Sequence, residues 1–416
     1  MVTPRSSRTV ILTRIAVAAL VSVLVVVLLV RTFPDQFDRV SRSAWDLAQR
    51  ADPYGAEEGP VQIIDIDDSS LPRVGGRPWS RQVMAELLED LREAGAAVVG
   101  FDLKFAGPSA DEATILGAEI DHHFADVIGK LPVVIGFMMD ESGENGPVVQ
   151  KGAIAFTRTA TTPPLPRFSA AIVDAPELEA AAQGVGYANV RVDLDGRIRQ
   201  IPLFALLHGK IVPSFAAEMV RVAQGAYAYV GTGGSYGLDR VLIGKVPVST
   251  DAGGQVWLHY AHTRPDRFIH AADVLAGTFD RARISGKMVL VGVSAPIFGD
   301  RWPSPLGSEM PGVEILAQLV EQILHGDLLS RPLWARGAEL LFVVIAALAV
   351  TLSASFGRRP LFAASGVLIV SAVVWVGWAF AQWHILVDPI MPLFGIAIAT
   401  CGGFLIVAPK RSARGA

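Results

Sequence analysis

Residues 61–71 read VQIIDIDDSSL: a short apolar run of strand length, then the carboxylates Asp65, Asp67 and Asp68 and two hydroxyls. A buried strand that delivers acids at its end is a common place for a nucleophile, a metal ligand or a ligand contact in α/β folds. The stretches that follow decide what kind of sheet this strand belongs to.

RQVMAELLEDLREAG (81–95) places Val83, Leu87, Leu88 and Leu91 on one side of a helix, with Gly95 as its stop. AAVVGFDLKF (96–105) reads as a second strand, and the strand–helix–strand order predicts a parallel crossover. DEATILGAEIDHHFADVIG (111–129) predicts a second helix and LPVVIGFMM (131–139) a third strand. Residues 140–166, rich in Gly, Pro, Thr and Ser, read as an exposed excursion. Asp195-Gly196 marks a hairpin turn between extended runs, and PSFAAEMVRVAQG (213–225) returns to helix. VLIGKVPVSTDAGGQVWLHYA (241–261) reads as a hairpin around Asp251–Gly254. IHAADVLAG (269–277) is a short helix, KMVLVGVSA (287–295) a buried strand and GVEILAQLVEQILHG (312–326) a closing helix. The fold class expected is α/β, a mixed sheet with flanking helices and no internal repeat.

Composition places part of the chain in lipid. Of 416 residues, 51% are hydrophobic and 18% charged, where a soluble globule carries roughly a quarter charged. Four apolar stretches reach or approach the ~20 residues that span a bilayer: Val10–Val30, Ala338–Phe356, Leu361–Ala381 and Ile385–Ala408. The first lacks the small-x-small pattern of a cleavage site, so it reads as an uncleaved anchor. Arg5, Arg8 and Arg14 precede it, Arg358 and Arg359 lie between the second and third stretches, and the tail PKRSARGA is basic. These arginines put both termini in the cytoplasm. The expected organisation is a tail and first span (1–33), an extracytoplasmic domain (34–335), three spans (336–408) and a cytoplasmic tail (409–416). DQFDRVSRSAWDLAQRAD (35–52) predicts a helix carrying the first span outward, ended by Asp52-Pro53-Tyr54-Gly55. The net charge of −4 gives no reason to expect nucleic acid as a partner, and the lone Cys401 excludes an intrachain disulfide.

Four blocks resemble the CHASE2 domain, an extracytoplasmic sensory module of bacterial membrane receptors. They are IDIDDSSL with GRPWSRQVMAELLEDLREAGAAVVGFDLKF, then GYANVRVDLDGRIRQIPL, IHAADVLAG, and ISGKMVLVGVSAPIFGDRWPSPLGSEMPGVEILAQLVEQIL. One span before the domain and three after it match the layout of that family. The resemblance implies a receptor whose output is an adenylate cyclase, a histidine kinase or a Ser/Thr kinase. About eight residues follow the last span here, so the expected output is a separate cytoplasmic or membrane partner, with a homodimer as a further expectation.

Three readings stand for IDIDDSSL. Asp67, Asp68, Ser69 and Ser70 cap a turn or short helix; or they contact a ligand at a strand end; or Asp65 and Asp67 serve an anchored, metal-dependent phosphohydrolase. The last reading lacks a second acid after Asp300, where Arg301-Trp302-Pro303-Ser304 follows. Arg77, Trp79 and Arg81 either clamp a ligand or neutralise the aspartates and pack the helix start. His122 and His123 are adjacent on a helix and cannot share a metal. His259 and His262 read as ordinary histidines. GTGGSYG precedes a strand-like run, so no helix terminus awaits a phosphate. The ligand pocket is expected among Asp67, Asp68, Trp79, Arg81, Asp102, Asn189, Asp195 and Asp300, with no catalytic residue, metal or cofactor.

Overall fold

The computed structural model describes residues 4–55, 59–74, 79–105, 115–140, 148–157, 163–234, 237–298 and 300–407. The chain forms two compact units: a helical unit, Met1–Asp52 with Arg331–Ala416, and an α/β unit, Pro53–Ser330. The helical unit opens with α1 (Pro4–Thr32) and α2 (Pro34–Ala51). Pro34 occupies the first turn of α2, where its missing N–H costs nothing.

The α/β unit is built on a parallel sheet of β1 (Val61–Ile66), β2 (Val98–Phe101), β3 (Val133–Met139), β4 (Gly184–Tyr187), β5 (Phe268–His270) and β6 (Met288–Val293). Its order is β5-β1-β6-β2-β3-β4, and the short strand Ala171–Ile172 lies antiparallel to the end of β3. The predicted crossover between β1 and β2 is parallel, with β6 inserted between them. Strand residues alternate between two cores. Ile64, Ile66, Val99, Phe101, Val289 and Val291 join the first, against α3 (Ser70–Val74), α4 (Arg81–Glu93), α5 (Ile115–Ile128), α6 (Pro176–Ala181) and α8 (Ala271–Leu275). Val61, Ile63, Val98 and Leu290 join the second, against α7 (Phe215–Ala223) and α9 (Gly312–His325). Apolar side chains on both faces explain why these strands read as continuous hydrophobic runs.

Helix α7 lies close to the sheet because glycines face it. A Cβ on Gly186 would stand 2.7 Å from the Phe215 backbone. Glu218 and Arg221 of α7 form a buried pair at 2.6 Å, and the Tyr229 hydroxyl donates to Glu218. Arg221 also donates to the carbonyls of Gln183 and Ala226, so two connections are tied to one helix.

Helix α9 performs a strand's task for the extended segment 259–263. Gln322 accepts from the His259 N–H (3.0 Å) and donates to the His259 carbonyl (2.5 Å). Gln318 does the same for Ala261 (3.0 and 3.1 Å), and Glu314 accepts from the Thr263 hydroxyl (2.9 Å). Residues four apart on a helix rise about 6 Å, close to the two-residue repeat of an extended chain, so the registers match.

Two sequence expectations are corrected. The excursion 140–166 contains a strand, Ala153–Thr157, paired in parallel with Ala228–Gly234 at the edge of a four-stranded sheet. Its partner lies too far along the chain for local composition to reveal it. The hairpin in 241–261 turns at Gly244-Lys245, between Gly237–Ile243 and Val246–Ser249, and Gly244 takes φ +58°. The Asp251–Gly254 turn instead hands the chain to Gln255–Trp257, which pairs with Gln200–Pro202.

The helical unit resumes with α10 (Ala335–Ala354), α11 (Arg358–Trp383) and α12 (Ile390–Val407). Among the described residues, three helices are long and apolar enough to cross a bilayer: Thr13–Thr32 within α1, α10 and α11. The stretch expected as a fourth span, 385–408, forms the shorter apolar helix α12, because the Asp388 carboxylate accepts the Ile390 N–H (2.8 Å) and starts the helix there. Small residues, Ala19, Ala346, Ala347, Ala354 and Ala399, line the contact among these helices. At one end of this unit Trp45 donates to the Val387 carbonyl (3.0 Å) and lies under the Arg331 guanidinium, 4.9 Å from the ring centre. Arg331 pairs with Glu339 (3.1 Å), whose other oxygen accepts the Asp388 N–H (2.7 Å).

Candidate functional site

The alternation that builds the two cores also aims the acids. In β1, Asp65 follows Val61 and Ile63 onto the face of the second core, and it is the register partner of Gly292 in β6. Val291 pairs with Phe101, so Asp102 follows at the same level on the other side of β6. The chain leaves β1 and β2 toward α4 and α5 in the first core, but leaves β6 toward α9 in the second. Neighbouring strands whose connections depart to opposite faces open a crevice at their carboxyl ends. This edge is therefore a switch point, and the acids stand on it.

Each carboxylate there has a distinct environment. Asp65 accepts from the Ser294 N–H (3.1 Å) and hydroxyl (2.7 Å). Burial pushes its carboxyl up, assisted by the charge of Asp67, while Ser294 opposes the shift. Asp67 accepts from Ser70 through its N–H (3.0 Å) and hydroxyl (2.6 Å), and from the Ser69 hydroxyl (2.7 Å), so it caps α3. His270, at the end of β5, lies 3.1 Å from the same carboxylate oxygen that Ser69 engages. Burial opposes the charge of Asp67, yet the Ser70 and Ser69 hydroxyls and His270 hold it below the ordinary value. Asp68 is exposed. Asp102 is half-buried, and burial followed by the neighbouring Asp300 carboxylate pushes it up to about 7. Asp300 accepts from the Trp302 indole (2.8 Å) and, through its carbonyl, from Gly312 (3.1 Å). A Cβ on Gly312 would fall 2.3 Å from the Asp300 carboxylate, so any larger residue there has to displace that side chain.

The structure thus brings Asp67, Asp68, Asp102 and Asp300 to one edge, together with Asp65. Asn189 follows β4 at the same edge, where its side chain exchanges hydrogen bonds with the Met139 N–H (2.6 Å) and carbonyl (2.8 Å) and extends the sheet. Three expected pocket residues lie elsewhere. Trp79 packs in the first core. Arg81, also buried, pairs with Asp121 at 2.5 Å and donates to the Phe105 carbonyl (2.8 Å). It neutralises an acid of α5 rather than those of IDIDDSSL. Asp195 sits in the 193–197 turn, where Arg199, itself 1% exposed, binds Asp193 and Asp195 at 2.7 Å each. The hydrogen bonds from Arg199 hold Asp195 well below the usual carboxylate range. Arg77 lies outside the described residues.

Sequence reading missed Ser294, His270 and Asp174. Asp174 accepts the Phe105 N–H (2.7 Å), and burial pushes it up to about 7. The signal for Ser294 was its position directly after a buried strand. His122 pairs with Glu177 (2.9 Å), and His259 is buried in the α9 contact. Both Asp65, held by Ser294, and Asp67, engaged as a cap, thus already accept hydrogen bonds from the chain itself.

The class the fold defines is an α/β domain on a parallel sheet with an acidic carboxyl edge, set in the chain between helices apolar and long enough for membrane association. The CHASE2 domain family model matches residues 21–352, and the chain belongs to that family. The match takes in the second half of α1, all of the α/β unit and most of α10. CHASE2 is a sensory extracellular domain rather than a catalytic one. No curated protein and no solved structure matches the chain.

Proposed function

We propose that the protein is a multi-pass sensor of the cytoplasmic membrane whose α/β unit lies outside the cell and passes its state to a separate cytoplasmic or membrane partner, such as a cyclase or kinase. Four spans, with α12 as the shortest, put both chain ends in the cytoplasm in accord with the flanking arginines. The acidic switch-point edge is where the stimulus acts, as a cationic or hydrogen-bond-donating group or as a change in protonation.

One observation carries this reading. The two chain connections between the units are pinned on both sides. In the α/β unit, the Tyr54 hydroxyl meets His325 (3.0 Å) and Asp327 (3.3 Å), joining the first and last segments. In the helical unit, Trp45 and Arg331, just beyond the same two connections, are stacked on each other and tied to Glu339 and Val387. A rearrangement of α9 or its neighbours therefore reaches both connections together. A stimulus shifts this system only by its differential affinity for two arrangements.

The test is topological. A periplasm-active phosphatase inserted after Gly209, an exposed hairpin position with open space around it, is expected to be active, and a cytosol-dependent fluorescent reporter at the same place dark. The reverse pattern would put the α/β unit in the cytoplasm and end the sensor reading.

A further inference from the structure

A groove of about 710 Å³ runs between α1 and α12 in the helical unit. Small side chains make it: Ala18, Ser22 and Gly402 line its wall, and a Cβ on Gly402 would still lie 3.9 Å from the Ser22 hydroxyl. That hydroxyl donates to the Ala18 carbonyl (2.8 Å), so the wall presents apolar surface. Arg14 lines the groove at the end nearest the amino terminus. It is exposed and makes no side-chain hydrogen bond or ion pair among the described residues. Arg358, by contrast, is already seated over the Phe404 ring at 4.9 Å.

We propose that this groove binds one anionic phospholipid, with its headgroup phosphate on Arg14 and an acyl chain along Ala18, Ser22 and Gly402. The inference rests on the membrane topology above, which puts Arg14 at the cytoplasmic interface. From Arg14 to Ser22 is eight residues, about 12 Å along a helix, close to the ~15 Å hydrocarbon depth of one leaflet. The groove therefore ends near mid-membrane, where an acyl chain ends. A cation at its mouth fits a phosphate monoanion. One interfacial cation favours an anionic lipid by about fivefold over a zwitterionic one.

Cys401, the only cysteine of the chain, lines the groove and is exposed, so it reports occupancy. The full-length protein in detergent is labelled with N-ethylmaleimide during titration with dioleoyl-phosphatidylglycerol, dioleoyl-phosphatidylcholine or inorganic phosphate. Phosphatidylglycerol is expected to protect Cys401 at about fivefold lower concentration than phosphatidylcholine, and phosphate alone not to protect it. Arg14→Gln should remove the difference between the lipids while keeping protection by both, and Ala18→Trp should abolish protection. Equal protection by the two lipids, protection by free phosphate, or protection that rises with protein concentration (a second copy in the groove) would each overturn the proposal. Extraction of the chain from membranes by alkaline carbonate would instead sink the membrane reading on which it depends.

Discussion

Replacing Asp102 by asparagine should blunt the loss of stability that the α/β unit suffers as pH rises. Burial and Asp300 raise the folded-state pKa of Asp102 to about 7, and burial does the same to Asp174. In the unfolded chain both titrate near 3.9. Between pH 6 and 8 the folded state therefore binds more protons, and stability falls as pH rises. The contribution is fully present below the unfolded pKa and lost through the folded one. For a group titrating at 7 in the fold and ionised throughout this window when unfolded, the change from pH 6 to 8 is about 1.4 kcal/mol. Two such groups give about 3 kcal/mol, or several degrees of melting temperature for a unit of this size. Thermal unfolding of the full-length protein in detergent at pH 6 and pH 8 measures it. Asp102→Asn should remove about half of the difference, mainly by stabilising the protein at pH 8. A variant whose melting temperature keeps the wild-type pH dependence would refute the assignment of Asp102 as a neutral-range group.

Three further outcomes follow from the packing. Gln318→Leu strips both partners from the buried Ala261 backbone and should cost roughly 2–5 kcal/mol in chemical denaturation; a loss under 1 kcal/mol would deny the pairing of α9 with the extended segment. Arg331→Met leaves the buried Glu339 carboxylate without its cation and should destabilise the helical unit by roughly 3–5 kcal/mol. Adding Glu339→Gln should recover much of that loss in the same melting assay. Arg199→Ala should destabilise the protein by roughly 3–5 kcal/mol, and Arg199→Lys should not restore it, because a single ammonium cannot bridge Asp193 and Asp195 as the guanidinium does. Full rescue by lysine would mean that the planar fork is dispensable.

What the sequence determined by itself was local. Apolar runs marked the long helices of the helical unit, strand–helix alternation pointed to the α/β class, and short blocks from IDIDDSSL to GVEILAQLVEQIL carried the family. Each of these depends on periodicity or on motifs within a few dozen residues, which a linear reading resolves. Only the tertiary structure placed β6 between β1 and β2, and with it Ser294 against Asp65 and Asp102 beside Asp300. It also turned Arg81 toward Asp121 and matched Gln318 and Gln322 to an extended segment some 60 residues away. Strand order and buried polar partners are chosen by the fit of whole layers, and that fit leaves no trace in the spacing of neighbouring residues.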